Sequence, residues 1–469
     1  MSAILLLFSL ALFSEPSRYT SVEVDIQWNG SEKETLISCR AIAGDDGRFL
    51  RITRDYDPDY MEVEVLQGLY GFHGSLREVP DWAVDTLTGS EGWPRALVVA
   101  FPGLRPGMEL RWTWRVTDNG AFSRQGLFYT YIAGNEPDTI VVRCEDLEEL
   151  SSWFTGFRET SRGNTRIFTS LNEEYKELWL STASDWTAVE SILLGSSREA
   201  SQETPPDLRE ASIEAGAAGA LPRMRISRGR VLITESMQLL PFPGGDAGFA
   251  VRPIQEILDT RRATPMEAAT LLSSMCRVMG IEAPVVTATD ILPPIPSPLG
   301  FFRAFILAEG ILEEPSEYLS PAGWIDTRDT LWLLLPGGLL AELPPEMESE
   351  HCTETWSFRP SQGRFSVQVA AEGGFDRELR RRLAGLEGEE LLLRTSEWFR
   401  ASGIYFYPDS VGISDFYDLT EQASMTVTGS MSSSDGFWVE RAPSLLWNRS
   451  GSVDRIYPTA RLLNGLLVQ

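Results

Sequence analysis

The chain has 469 residues, about three times an ordinary domain length, so two or three domains are expected. Its 43% hydrophobic and 23% charged residues exclude a disordered or fibrous chain. With 41 Lys+Arg against 67 Asp+Glu the formal charge is -26, which repels phosphate backbones and anionic membrane surfaces and argues against a nucleic-acid partner.

In chain order, the first feature is an apolar run over residues 4–13, interrupted only by Ser9. As a helix it rises about 15 Å, half a bilayer, so it reads as the core of a signal peptide spanning residues 1–19 rather than as a membrane span. Export to the periplasm or the extracellular space is the expectation. No later stretch is long and apolar enough to add an integral membrane segment.

Residues 20–148 read as a β-sandwich. Short runs at 22–28, 35–42, 61–66, 96–101, 109–116 and 139–143 are rich in Val, Ile, Leu and Trp and are punctuated by Gly and Pro. Strands at this spacing predict an antiparallel sandwich. Trp112 and Trp114 alternate onto one face, as core residues do, although with Trp82 and Trp93 they form an aromatic set suited to a sugar site. Cys39 and Cys144 stand near the two ends of this region, and a disulfide between them is open to an exported protein, alongside free buried thiols.

Residues 149–338 change character. Helices are expected at 186–194, 208–219, 253–258 and 265–279, a loop at 237–248, and strands at 283–288, 301–307 and 317–319. Helices followed by strands imply an α+β domain ending near Pro336-Gly337-Gly338. Residues 339–469 form a β-rich C-terminal region, with strands at 354–358, 365–371, 404–407 and 424–429. A charged helix at 376–395 among them reads as a solvated face.

One stretch carries more than fold. Residues 261–289 read RRATPMEAATLLSSMCRVMGIEAPVVTAT. Thr264 suits the N-cap, Pro265 the first helical position and Glu267 the third, so a capping box is predicted. Ala268, Leu271, Leu272, Met275, Val278 and Met279 form one buried stripe, and Gly280 ends the helix. The same stretch resembles the active-site helix of bacterial secreted transglutaminase-like proteins, whose motif runs R-R-G-D-C-K-D-K-A-x-L-L and closes on R-x-x-G-I-x-A. Arg261, Arg262, Ala269, Leu271, Leu272, Arg277, Gly280, Ile281 and Ala283 match it. The family's F-N-H and L-D-P correspond to Phe301-Phe302-Arg303 and Leu319-Ser320-Pro321.

The resemblance implies a papain-like core preceded by a β-sandwich domain of unknown function and followed by a β-rich region. It also implies what the chain has lost. The family's nucleophilic Cys, general-base His and orienting Asp fall on Pro265, Arg303 and Ser320. Proline offers no nucleophile, and arginine stays charged and takes no proton. Cys276 lies on the helix face of Pro265 but about 16 Å further along, as a core thiol. The expectation is a pseudoenzyme with no catalytic residues, no cofactor and no metal, which binds or scaffolds an unknown protein, peptide or envelope polymer. An amidase or peptidase with displaced residues and a polysaccharide-binding module are the alternatives. Arg303, Glu267 and Thr264 form the candidate anion or ligand groove, in which Arg303 is either paired with Glu267 or open beside the helix start.

Overall fold

A computed structural model describes residues 17–468 except 47, 57, 59–60, 89–94, 121, 135, 146, 241–249, 327–329, 344–349, 360–361, 432–437, 440–443, 446, 448–451, 457–460 and 464–465. The apolar leader at 4–13, most of the loop expected at 237–248, and Trp93 therefore lie outside the described residues.

The N-terminal region contains β1 (Arg18–Trp28), β2 (Lys33–Ile42), β3 (Arg51–Tyr56), β4 (Met61–Phe72), β5 (Ser75–Glu78), β6 (Val84–Thr88), β7 (Arg95–Ala100) and β8 (Glu109–Asp118). It continues through β9 (Phe128–Ala133), β10 (Thr139–Glu145), β11 (Ser151–Thr155), β12 (Phe157–Arg162), β13 (Thr165–Ser170) and β14 (Lys176–Ser181). One eight-stranded sheet, in the order β12-β13-β10-β1-β2-β8-β4-β5, is covered by two small sheets, β3-β7-β6 and β11-β14-β9. Alternation drives the layering, since inward positions such as Leu110, Trp112, Trp114 and Val116 of β8 are buried in the core between sheets.

Three expectations are corrected here, and one left open, the pairing of Cys39 and Cys144, is decided. The large sheet is mixed, because β1 and β10 pair in parallel. Strands β11–β14 lie past residue 148 yet belong to these same sheets; β11 and β12 escape a sequence pattern because as edge strands they carry polar residues. Ser17 and Tyr19, assigned to the leader, are packed: the Ser17 amide donates to Asp46 at 3.1 Å and Tyr19 touches both sandwich cores. Cys39 and Cys144 are free thiols. β1 runs between their strands, and Cys39 pairs with Val22 while Cys144 pairs with Ile26. Two strand spacings and four residues of offset far exceed disulfide reach.

The central region contains helices α1 (Trp186–Ala200), α2 (Pro206–Gly216), α3 (Pro222–Ser236), α4 (Ile254–Thr260) and α5 (Pro265–Val278). Its strands are the two-residue pair β15 (Gln238–Leu239) and β16 (Arg262–Ala263), then β17 (Val285–Thr289), β18 (Arg303–Ala308), β19 (Ile311–Glu313), β20 (Leu331–Leu335) and β21 (Leu339–Leu343). The last five form an antiparallel sheet ordered β19-β18-β17-β20-β21. The helices pack on one face of it. Helix α3 was not anticipated, because four arginines and Gly229 obscure its apolar period. The strand expected at 317–319 is a turn, in which Leu319 takes φ +56°. Pro336-Gly337-Gly338 does not end the region but joins β20 to β21, and a Cβ at Gly338 would stand 2.5 Å from the Thr187 amide nitrogen of α1.

The C-terminal region contains β22 (His351–Arg359), β23 (Arg364–Ala371), α6 (Gly374–Leu383), α7 (Gly388–Ala401), β24 (Phe406–Ile413), β25 (Ala423–Met431), β26 (Trp438–Val439), β27 (Ser452–Ile456), β28 (Arg461–Leu463) and β29 (Leu466–Val468). Five strands form the sheet β24-β25-β23-β22-β27, against which α6 and α7 bury Phe375, Leu379, Leu383, Trp398 and Phe399. The single charged helix expected at 376–395 is two helices, and it is not simply solvated, since Asp376 and Arg380 form a buried ion pair. Arg380 also donates to the carbonyls of Phe416 at 2.7 Å and Asp418 at 3.0 Å, which ties the loop after β24 to α6. The molecule is a strand-rich α+β protein with several sheets. Among the described residues no helix is long and apolar enough to cross a membrane.

Candidate functional site

Helix α5 is built as its sequence requires. The Thr264 hydroxyl accepts from the Glu267 amide at 3.2 Å, and the Glu267 carboxylate accepts from the Thr264 amide at 2.9 Å. At the other end the Gly280 amide donates to Arg277 and the Ile281 amide to Cys276, with Gly280 at φ +73°. That is a Schellman closure, which only a residue at ease with positive φ completes without strain. Between the caps Ala268, Leu271, Leu272, Met275 and Cys276 are buried in the core shared by the sheet and the neighbouring helices, with Leu272 and Met275 beside Gly229 of α3.

Glu267 is committed elsewhere than expected. Its carboxylate is buried, and the Arg252 guanidinium binds both oxygens, Nε at 2.7 Å and a terminal nitrogen at 2.9 Å. Arg252 also donates to the Arg262 carbonyl at 2.8 Å. The first turn of α5 is thus closed by its own cap and by one arginine from the segment before α4. The expected pair of Arg303 with Glu267 is not formed.

Arg303 instead opens β18 on the other side of the sheet. Along β18, Ala304, Ile306 and Ala308 join the core shared with α5, while Phe305 and Leu307 join the opposite one. With a period of two, Arg303 shares the face of Phe305, and its guanidinium lies 5.0 Å from that ring. There Arg303 binds both oxygens of Glu314 and donates to the Asp326 carbonyl at 3.0 Å. The sheet itself separates Arg303 from Pro265 and Thr264, so these candidate groove residues are not brought together.

Ser320 is buried in the turn after β19. Its carbonyl accepts from Arg230 of α3, and its hydroxyl has no hydrogen-bond partner among the described residues. Arg230 reaches Glu313 at 2.7 Å, and the two side chains are 1% and 2% exposed. Glu313 pairs across the sheet with Ile306, on the face turned to α5. Adjacent glutamates of one segment therefore hold one arginine on each face, Glu313 with Arg230 and Glu314 with Arg303. Burial pushes both carboxyls above the ordinary glutamate value, against the pull of their arginines. The far-face pair continues into the C-terminal region, where Arg377 of α6 binds Glu317 and reaches the Asp326 carboxylate at 3.3 Å. Arg252, Arg230, Glu313, Glu314 and Arg377 had no local signal in the sequence, because each partner lies on a different element.

Burial, helped by Glu313, pushes the Cys276 thiol up to about 12. Burial likewise puts Cys39 and Cys352 at about 12. His73 contacts Glu109, and His351 contacts Ser452, Thr353 and Asp454, all away from α5. Trp112 and Trp114 are core residues, whereas Trp82 is 75% exposed and stands apart from them. Among the described residues no group of three His, Cys, Asp or Glu could hold a metal ion.

No protein-family model matches the chain, and no curated protein does. Among solved structures, a provisionally assigned protease from Parabacteroides distasonis superposes with a TM-score of 0.61 at 15% identity, over 75% of this chain and 76% of that one. An M1 zinc metallopeptidase from Deinococcus radiodurans overlaps 35% of this chain and 42% of its own, at 13% identity and a TM-score of 0.23. Yeast LTA4 hydrolase bound to bestatin overlaps 35% of this chain and 28% of its own, at 10% identity and a TM-score of 0.22. At such identities a likeness speaks to fold alone, and this chain shares its fold with the Parabacteroides protein.

Proposed function

We propose that the central region is a transglutaminase-like fold whose catalytic apparatus has been replaced by internal contacts, and that the chain is an exported, non-catalytic binding or scaffolding protein of the cell envelope. One observation carries this reading. The helix start that would present a nucleophile carries Pro265, and its first turn is sealed by Thr264, Glu267 and Arg252. No imidazole faces it, because β18 turns Ala304 and Ile306 toward α5 and Arg303 away. Cys276 is no substitute, since its side chain is fully buried and burial pushes its thiol up to about 12. Export rests on the apolar run at residues 4–13; cleavage between Ser14 and Ser17 leaves β1 whole.

The likeness to a provisionally assigned protease favours a second reading, an amidase or peptidase with displaced catalytic residues. One assay separates the two. The purified chain is incubated under reducing conditions with fluorogenic peptide amides, and with a glutamine peptide plus a primary amine. Neither hydrolysis nor amine incorporation above the buffer rate is expected. Turnover that disappears in Cys276→Ala would establish the second reading.

A further inference from the structure

The large N-terminal sheet is covered by two small sheets, and the cover is incomplete between them. β3 is the outer strand of one and β9 the outer strand of the other, and each is paired on one side only among the described residues. Beneath the join lies β2, whose Ile37 and Cys39 pack against both sandwich cores. A cavity of about 390 Å³ opens there, beside β3.

Its wall is aromatic, with Trp112 and Trp114 beside Cys39, and Arg48, Arg51 and Arg54 line it from the β3 side. Among the described residues no acidic one lines it, in a chain with 67 Asp+Glu. Arg48 is neutralised, since it donates to Glu136 at 2.9 Å. Arg51 and Arg54 are exposed and have no ion pair or hydrogen bond among the described residues. Arg54 shares a face of β3 with Ile52, a core residue, so by alternation its side chain is directed over the cavity rather than away from it. The Arg54 charge is felt at the Cys39 thiol and at the Tyr129 hydroxyl of β9, which places the guanidinium at the join of the two small sheets. Arg54 is exposed and has no ion pair among the described residues, so its guanidinium is held only by solvent and is open to an oxyanion.

We propose that this cavity binds a small organic anion, a carboxylate or sulfonate borne on an apolar or aromatic body. The acidic head sits on Arg54, as guanidinium groups hold oxyanions, while Arg51, on the other face of β3, adds positive charge at the rim. The body lies against Trp112 and Trp114. The volume is that of a small-molecule site. In a chain of overall charge -26, a cavity lined by arginines with no acidic residue among its described lining is a locally positive spot.

The test uses the full chain with 8-anilinonaphthalene-1-sulfonate, an aromatic anion, beside N-phenyl-1-naphthylamine, its neutral counterpart. Saturable binding of one sulfonate per chain is expected, with quenching of tryptophan emission. The double variant Arg51→Ala/Arg54→Ala should weaken the sulfonate about tenfold or more and leave the neutral probe within about twofold. Sulfonate binding equal in wild type and variant would overturn the proposal. So would an equal loss of both probes, which would report altered packing rather than a lost charge contact. Failure to saturate at one site would overturn it as well.

Discussion

The arginines of the central region and those of the N-terminal cavity obey opposite rules. Arg230, Arg252 and Arg303 each hold a buried carboxylate and a backbone carbonyl, so their charges are spent inside the fold. Arg51 and Arg54 hold nothing among the described residues, and they border a cavity without acidic groups. The contrast separates a structural cation from a binding one by what surrounds it. On the readings proposed above, the central region matches its arginine charges from within, whereas the cavity leaves Arg51 and Arg54 unmatched among the described residues.

The largest blow to this contrast comes from Arg230→Ala. It strands the Glu313 carboxylate, 2% exposed, and should cost about 3–5 kcal/mol, seen as a lowered melting temperature. Arg230→Met combined with Glu313→Leu should recover most of that loss, since what destabilises is the unpaired charge rather than the missing bond. Glu267→Ala removes the capping box and the anchor of Arg252 together, for about 2 kcal/mol by denaturant titration.

Arg303→Ala should cost about 1–3 kcal/mol, less than Arg230→Ala because Arg303 is 17% and Glu314 8% exposed, so water enters the gap. Its effect should be unchanged in a Glu267→Gln background, since the two residues lie on opposite faces of the sheet; strong coupling in that double-mutant cycle would refute the assignment of faces.

Acid sharpens the comparison further. In the N-terminal sheet Glu109 is buried, which raises its pKa, but hydrogen bonds from Arg111, His73 and Arg40 outweigh burial and leave the carboxyl below its ordinary 4.5. A lowered folded value contributes stability above the ordinary pKa that is lost as the pH falls through the folded one. Glu109→Gln should therefore flatten the acid limb of a stability-against-pH curve below about 4.5 and destabilise the protein at pH 7. The smallest effect belongs to the cavity. Arg51→Ala/Arg54→Ala should change stability by no more than about 0.5 kcal/mol, because these exposed side chains make no ion pair or hydrogen bond among the described residues.

Much was legible in the amino-acid sequence. Thr264, Pro265, Glu267 and Gly280 act locally through caps and turn chemistry, and the structure realises α5 with both caps where those residues call for them. The alternation of Trp112 and Trp114 likewise predicted their burial, because a strand has only two faces. Only the tertiary structure decided which face Arg303 takes, since that turns on where β18 begins, and a one-residue shift sends every side chain to the other side. It also decided that Glu267 belongs to Arg252, that Glu313 and Glu314 divide between two arginines, and that Cys39 and Cys144 are separated by β1. Helix caps and strand alternation are short-range and can be read from neighbouring residues. Ion pairs and sheet order join residues tens of positions apart, so their partners are chosen by packing.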